Sequence, residues 1–114
     1  MNKVPVIVFQ NKENKDRYLA NGPENGDWSD ENLDVLMEDI ECAFMIWRDD
    51  FESPGDKDLE ELKQTSINHK KTMRERFGDD AVINFDVEEW LKHYTPVNIE
   101  ITQEQFDKAR ELDG

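Results

Sequence analysis

Apolar residues recur along this chain with two different periods, and each period predicts its own elements. Leu33, Leu36, Met37, Ile40, Ala43, Phe44, Trp47 and Phe51 share one arc at about 100° per residue, so Asp30–Glu52 is predicted as one long amphipathic helix. Ser29 supplies its N-cap, Asp30 and Glu31 lie in the first turn where the helix dipole favours them, and Ser53-Pro54-Gly55 stops it. Lys57–Phe77 repeats the helical spacing with Leu59, Leu62, Ser66, His69, Met73 and Phe77 on one face, and Gly78 fits a C-cap. The short turn between them predicts an antiparallel helical hairpin, with Leu33, Leu36, Ile40, Phe44, Trp47, Leu59, Leu62 and Met73 in its core.

The rest of the chain reads as short elements. Lys3–Phe9 is β-branched and apolar, a strand whose Pro5 favours an edge position or the strand's start. Lys12–Ala20 is read as a short helix anchored by Tyr18 and Leu19, and Asn21–Asp27 as a loop dense in turn formers. Ala81–Phe85 is a second strand candidate, and Val87–Tyr94 a short helix with Trp90 and Leu91 facing in. Val97–Ile101 alternates as a half-buried strand does, and Thr102 with Gln105 makes a capping box before a last helix through Leu112. The expected class is α+β in one domain spanning residues 1–114. It is mostly helical, with a long acidic helix in a hairpin packed on a small sheet of two or three short strands.

Charge changes this picture most. The chain carries 28 acids against 14 bases, a net charge of -14 on 114 residues. That balance repels nucleic acid and anionic membranes and favours a basic partner. It is also uneven: residues 24–61 hold fifteen acids against Arg48 and Lys57, whereas residues 62–76 hold five bases against Glu75. A charged fraction of 37% raises disorder as an alternative, but three Trp, two Tyr and six Phe at periodic positions supply the anchors that disordered chains lack. No apolar run reaches membrane-spanning length, Pro5–Phe9 is too short for a signal-peptide core, and lone Cys42 permits no intrachain disulfide. A cytoplasmic, reducing setting is expected.

On the predicted helix, Asp30, Glu31, Asp34, Glu38, Glu41, Asp49 and Glu52 fall on the arc beside the apolar stripe. A helix of that length rises about 33 Å, giving a carboxylate every ~4.7 Å of axis. One DNA strand presents a phosphate every ~3.4 Å. The row is therefore dense enough to imitate a stretch of backbone for a phosphate-reading protein. The plainer reading is a solvated face that serves solubility.

Trp28–Ile40, WSDENLDVLMEDI, resembles the start of the second helix of barstar-type ribonuclease inhibitors: an aromatic before the cap, then Glu31-Asn32-Leu33-Asp34, then Leu36. A preceding apolar strand and short helix are similar too. The resemblance implies a helix and loop that insert acidic groups into a nuclease active site. The chain departs from that family in the greater length of the predicted helix and in having no matching strand soon after it.

Signals for other chemistry are thin. Asp50, Glu52 and Glu61 follow a calcium-loop spacing between two predicted helices, but Pro54 takes the place of an oxygen ligand and Lys57 that of an apolar residue. His69 falls on an apolar face and His93 at a helix end, no pair has metal spacing, and Cys42 lies beside Glu41 and Asp39, which disfavour a thiolate. No enzyme, cofactor or metal site is expected. The expected function is that of a small acidic inhibitor or nucleic-acid mimic, as in phage anti-defence or nuclease immunity proteins. It would occupy the nucleic-acid site of a basic nuclease or defence component without binding nucleic acid itself. The alternative is a non-enzymatic adaptor or assembly subunit acting through an apolar helix surface. The sequence leaves the oligomeric state open.

Overall fold

The structure is a computed structural model describing residues 3–20, 34–81, 83 and 85–113. Its centre is β1 (Lys3–Asn11), where β-branched residues at successive positions favour extended backbone. A strand's side chains alternate between faces, and here both faces are covered. Val4, Val6 and Val8 enter one apolar cluster, and Phe9 enters the other.

Both edges of β1 are also used. Along one edge, β5 (Tyr94–Thr102) pairs antiparallel with all of β1, from Lys3 against Thr102 to Asn11 against Tyr94. Along the other, β2 (Arg17–Leu19) meets Gln10 and the two-residue β4 (Met45–Ile46) meets Ile7 and Val8. The strand β3 (Asp34–Leu36) adds outside β2, completing a five-stranded antiparallel sheet.

On the Val4–Val6–Val8 face lie a 3-10 segment (Met37–Cys42), which buries Ile40, and helix α3 (Gln103–Asp113), which buries Phe106. On the Phe9 face lie α1 (Asp56–Phe77) and α2 (Val87–His93). There Trp90 contacts Phe9, Phe44 and Phe85 at ring-centroid distances of 5.7, 5.0 and 5.6 Å.

This architecture corrects the expected one. Among the described residues the sheet has five strands rather than two or three short ones, and the long acidic helix and its hairpin are absent. The described part of Asp30–Glu52 instead forms β3, the 3-10 segment, β4 and a turn. The reason lies in Phe44-Met45-Ile46-Trp47. Phe44 and Ile46 pack on the Phe9 side, while Met45 and Trp47 pack on the opposite side. An unbroken apolar run is what a strand buried on both faces requires, and it also fills a helical arc, so periodicity alone misassigns it. Over Asp34–Ile40 the α-helix implied by the barstar-type resemblance is replaced by β3, which pairs with β2, and the start of the 3-10 segment. Trp28, Ser29, Asp30, Glu31 and Leu33 lie outside the described residues, as does the Asn21–Asp27 loop.

Smaller departures have local causes. Lys12–Ala20 turns into β2 instead of a helix, because the Asn11 side chain accepts from the backbone N–H groups of Glu13 and Asn14, and that of Asn14 accepts from Asp16. Pro5 lies near the start of its strand, one of the two places expected for it, although that strand is central; β4 pairs only farther along. Ala81, Ile83 and Phe85 are not in a strand.

Helix α1 does carry Leu59, Leu62, Ser66, His69 and Met73 on its inner face, yet Ser66 is its one buried residue. Its docking is largely polar. The Ser66 hydroxyl donates to the Phe85 carbonyl at 3.2 Å and accepts from the Val87 N–H at 2.9 Å. Lys70 pairs with Asp86 at 3.1 Å, and Asp86 in turn caps α2 by accepting from the Glu89 N–H. Ser66→Ala should therefore lower unfolding free energy by about 1–3 kcal/mol, because it orphans a buried donor. Thr65→Ala, one residue away but exposed, should cost less than about 0.5 kcal/mol in the same denaturant titration.

Candidate protein-binding surface

Asp34, Glu38, Glu41, Asp49 and Glu52 are described, and they do not form one row. Asp34 stands apart on β3, half-buried, where its carboxylate accepts hydrogen bonds from the Tyr94 hydroxyl and, at 3.1 Å, from the Asn11 amide. These three residues join β3 to the ends of β1 and β5. The Lys12 N–H donates to the His93 carbonyl at 3.0 Å and the Lys12 ammonium to the Leu91 carbonyl at 2.9 Å, tying the α2–β5 junction to the same corner. Burial first, then the Asp34 hydrogen bond and charge, hold the Tyr94 phenol well above its ordinary value. Asp34 thus holds strands together rather than standing on an open face.

The other four carboxylates lie on the α3 side of the sheet. Glu38 and Glu41 are on the 3-10 segment, with exposed Asp39 between them; Asp49 and Glu52 are exposed on the turn after β4, together with Asp50. Of these, Asp39 and Asp50 lie off the predicted helical arc and were missed for that reason. The one base in the stretch, Arg48, reaches Asp50 at 3.2 Å, so it neutralises a charge within the turn.

Both pieces rest on α3. Ile40 and Phe106 share a cluster, Trp47 stacks edge-on against Phe106 at 5.2 Å, and Phe51 does so at 5.7 Å. Arg110 lies 5.7 Å above the Trp47 ring. Helix α3 adds exposed Glu104, Asp107 and Glu111 to the same layer, offset in part by Lys108, which pairs with Glu104 at 3.6 Å, and by Arg110. Phe51 remains 49% exposed and adopts φ 60°, a left-handed conformation that costs a non-glycine residue energy.

The far side differs. A shallow depression of about 430 Å³ beside α1 is lined by Ile67, Lys70, Lys71, Arg74, Glu75 and Glu88. Lys70 is engaged by Asp86 and Glu88. The half-buried His69 ring lies 6.0 Å from Phe85, and exposed His93 reaches Glu89 at 3.5 Å. Partial desolvation, followed by the charges of Glu41 and Asp39, pushes the exposed Cys42 thiol up, away from the nucleophilic thiolate. The calcium-loop spacing lacks its structural context, because β4 and a turn stand where an entering helix would be required. Among the described residues no group of three or more His, Cys, Asp or Glu side chains is arranged to hold a metal ion, and no helix is long and apolar enough to cross a membrane. Comparison with protein families, with curated proteins and with solved structures found no match.

Tyr94→Phe should lower stability at neutral pH by about 1–3 kcal/mol by leaving the Asp34 carboxylate one donor short. The pH dependence has a definite sign. The raised phenol binds its proton more tightly in the folded chain, so its contribution is complete below the unfolded value near pH ~10 and declines as pH rises above it. Denaturant titrations should show the stability gap between parent and variant narrowing above that pH.

Proposed function

We propose that this protein is an inhibitor or decoy. It binds a basic nucleic-acid-binding protein, a nuclease or a defence-system component, and covers that partner's nucleic-acid site in the cytoplasm. One observation carries the reading: Glu38, Asp39, Asp49, Asp50 and Glu52 are exposed in a layer whose aromatic residues are braced on α3. A braced patch loses little side-chain and backbone freedom on binding, and its charge speeds encounter with a basic groove. Half-exposed Phe51, set among these carboxylates, supplies the aromatic anchor that interface centres favour. Asp34 is no part of this surface in our reading, because its carboxylate is committed within the sheet.

A second reading, an adaptor or assembly subunit, draws on α1, where Ile67 and Phe77 are 41% and 60% exposed. Salt separates the two. Association through carboxylates weakens as ionic strength rises, and association through Ile67 and Phe77 does not.

The test begins with partners recovered from nuclease-treated host lysate on the immobilised chain and eluted by salt. A nucleic-acid-binding protein should be recovered, and the chain should compete with its DNA or RNA. Glu38→Gln, Asp49→Asn and Glu52→Gln combined should fold normally and bind at least tenfold more weakly, at about 1 kcal/mol or more per lost contact. The chain alone should not retard a DNA or RNA duplex in a gel. A correctly folded triple variant that competes as well as the parent would show the carboxylates to be solvated only.

A further inference from the structure

β5 lies at the border of the sheet but is composed like an interior strand. Of its nine residues only Glu100 is charged, in a chain that is 37% charged. Its Val97 and Ile99 are half-buried against the apolar cluster of the α3 side, and Ile101 is fully buried there. One edge of β5 is taken by β1 over its full length, and among the described residues no strand pairs with the other. Natural edge strands are usually kept short, or carry lysines or bulges that block further pairing. β5 is nine residues long and holds no lysine, and of the devices that block further pairing it carries only Pro96 and the single charge of Glu100.

The phase of the β1–β5 ladder shows which backbone groups face outward. Just beyond β1 and in register with it, the Lys12 N–H donates to the His93 carbonyl, which makes that pair a hydrogen-bonded one. Such pairs recur every second residue in an antiparallel ladder. Thr95, Val97, Ile99 and Ile101 therefore bond to β1, and Pro96, Asn98, Glu100 and Thr102 point their backbone groups away from it. Two observations agree. Pro96 and Pro5, which have no N–H, both fall at non-bonded pairs, and the Thr102 N–H is free to donate to the Gln105 side chain at 3.0 Å. The N–H groups of Asn98 and Glu100 are left pointing outward.

We propose that this edge pairs antiparallel with β5 of a second copy of the chain, about a two-fold axis beside Ile99, to form a continuous sheet across the two protomers. A two-fold axis satisfies two identical edges with one contact. In this register Asn98 and the partner subunit's Glu100 exchange both backbone hydrogen bonds, and symmetry repeats the exchange. Ile99 lies against its own copy and Val97 against the partner's Ile101, which extends the apolar cluster across the axis. The one charged residue, Glu100, faces an amide rather than a carboxylate. Pro96 falls outside the central exchange, where its missing donor does no harm. The remaining charge of each copy opposes approach, so this dimer strengthens with added salt. That sign is opposite to the one expected for the acidic patch and its basic partner, so either idea can fail without the other.

Sedimentation equilibrium over a range of protein and salt concentrations, with amide hydrogen exchange read residue by residue, tests the proposal. A dimer that tightens with salt is expected. The Asn98 and Glu100 amides should be protected roughly tenfold or more in the dimer and exchange freely on dilution, while Val97 and Ile99 stay protected in both states. Asn98→Pro removes an outward N–H, so it should keep the parent's circular dichroism while weakening the dimer at least about tenfold. Exchange in the parent gives the same answer if that variant fails to fold. A monomer at all concentrations overturns the proposal, as does a dimer with freely exchanging Asn98 and Glu100. Protection of these two amides in the dilute monomer would also overturn it, by showing the edge to be covered within one chain.

Discussion

Everything in this fold depends on β1 being enclosed. Val4, Val6 and Val8 need cover on one face, Ile7 and Phe9 need it on the other, and the backbone between them needs partners along two edges. Buried backbone groups left unpaired cost as much as lost hydrogen bonds, so the chain must supply strands to both edges as well as cover to both faces. β5 serves one edge completely. The other is shared by two fragments, β2 and β4, from different parts of the chain. That sharing explains why the segment from Asp34 to Phe51 runs as short pieces instead of a helix: two of its residues, Met45 and Ile46, are required beside Val8 and Ile7.

The acidic surface follows from that requirement. With Phe44 and Ile46 facing the Phe9 side and Met45 and Trp47 the opposite side, the strand itself has no room for charge. The carboxylates are displaced to the 3-10 segment before it and the turn after it, and both are drawn onto α3 by Ile40, Trp47 and Phe51. The result is a patch rather than a row. The phosphate-like line density of a helical row therefore does not apply, and the patch offers instead exposed charge on a base of packed rings.

How much was legible follows the same physics. The apolar alternation of β1, the capping box where Thr102 accepts from the Gln105 N–H at 3.1 Å and Gln105 returns the bond, and the inner face of α1 are local patterns, and each could be read from neighbours in sequence. What failed was non-local. Phe44-Met45-Ile46-Trp47 fits a helical arc and a doubly buried strand equally well, and only the empty edge of β1 decides between them. The role of Asp34 was hidden for a similar reason: its partners, Asn11 and Tyr94, are 23 and 60 residues away. Lys12–Ala20 was misread on a smaller scale, because side-chain capture by Asn11 and Asn14 outweighs the weak helical spacing of Tyr18 and Leu19.

The two sides of the sheet are held to it by different forces, and that difference bears on what each can present to a partner. The α3 layer is braced by stacked rings, Trp47 and Phe51 on Phe106, with Arg110 above Trp47, so the acids around it are carried on a stiff base. Helix α1, by contrast, buries only Ser66 and is held through a hydroxyl, an ammonium and the half-buried Leu59 and Leu62. Its far end leaves Phe77 mostly exposed, just before Gly78 turns the chain at φ 67°. Polar latches depend on geometry and open with little loss of buried apolar area, whereas a stacked aromatic layer resists opening. Any surface the protein presents without reorganising is therefore to be sought on the α3 side, and any movement of the fold at α1.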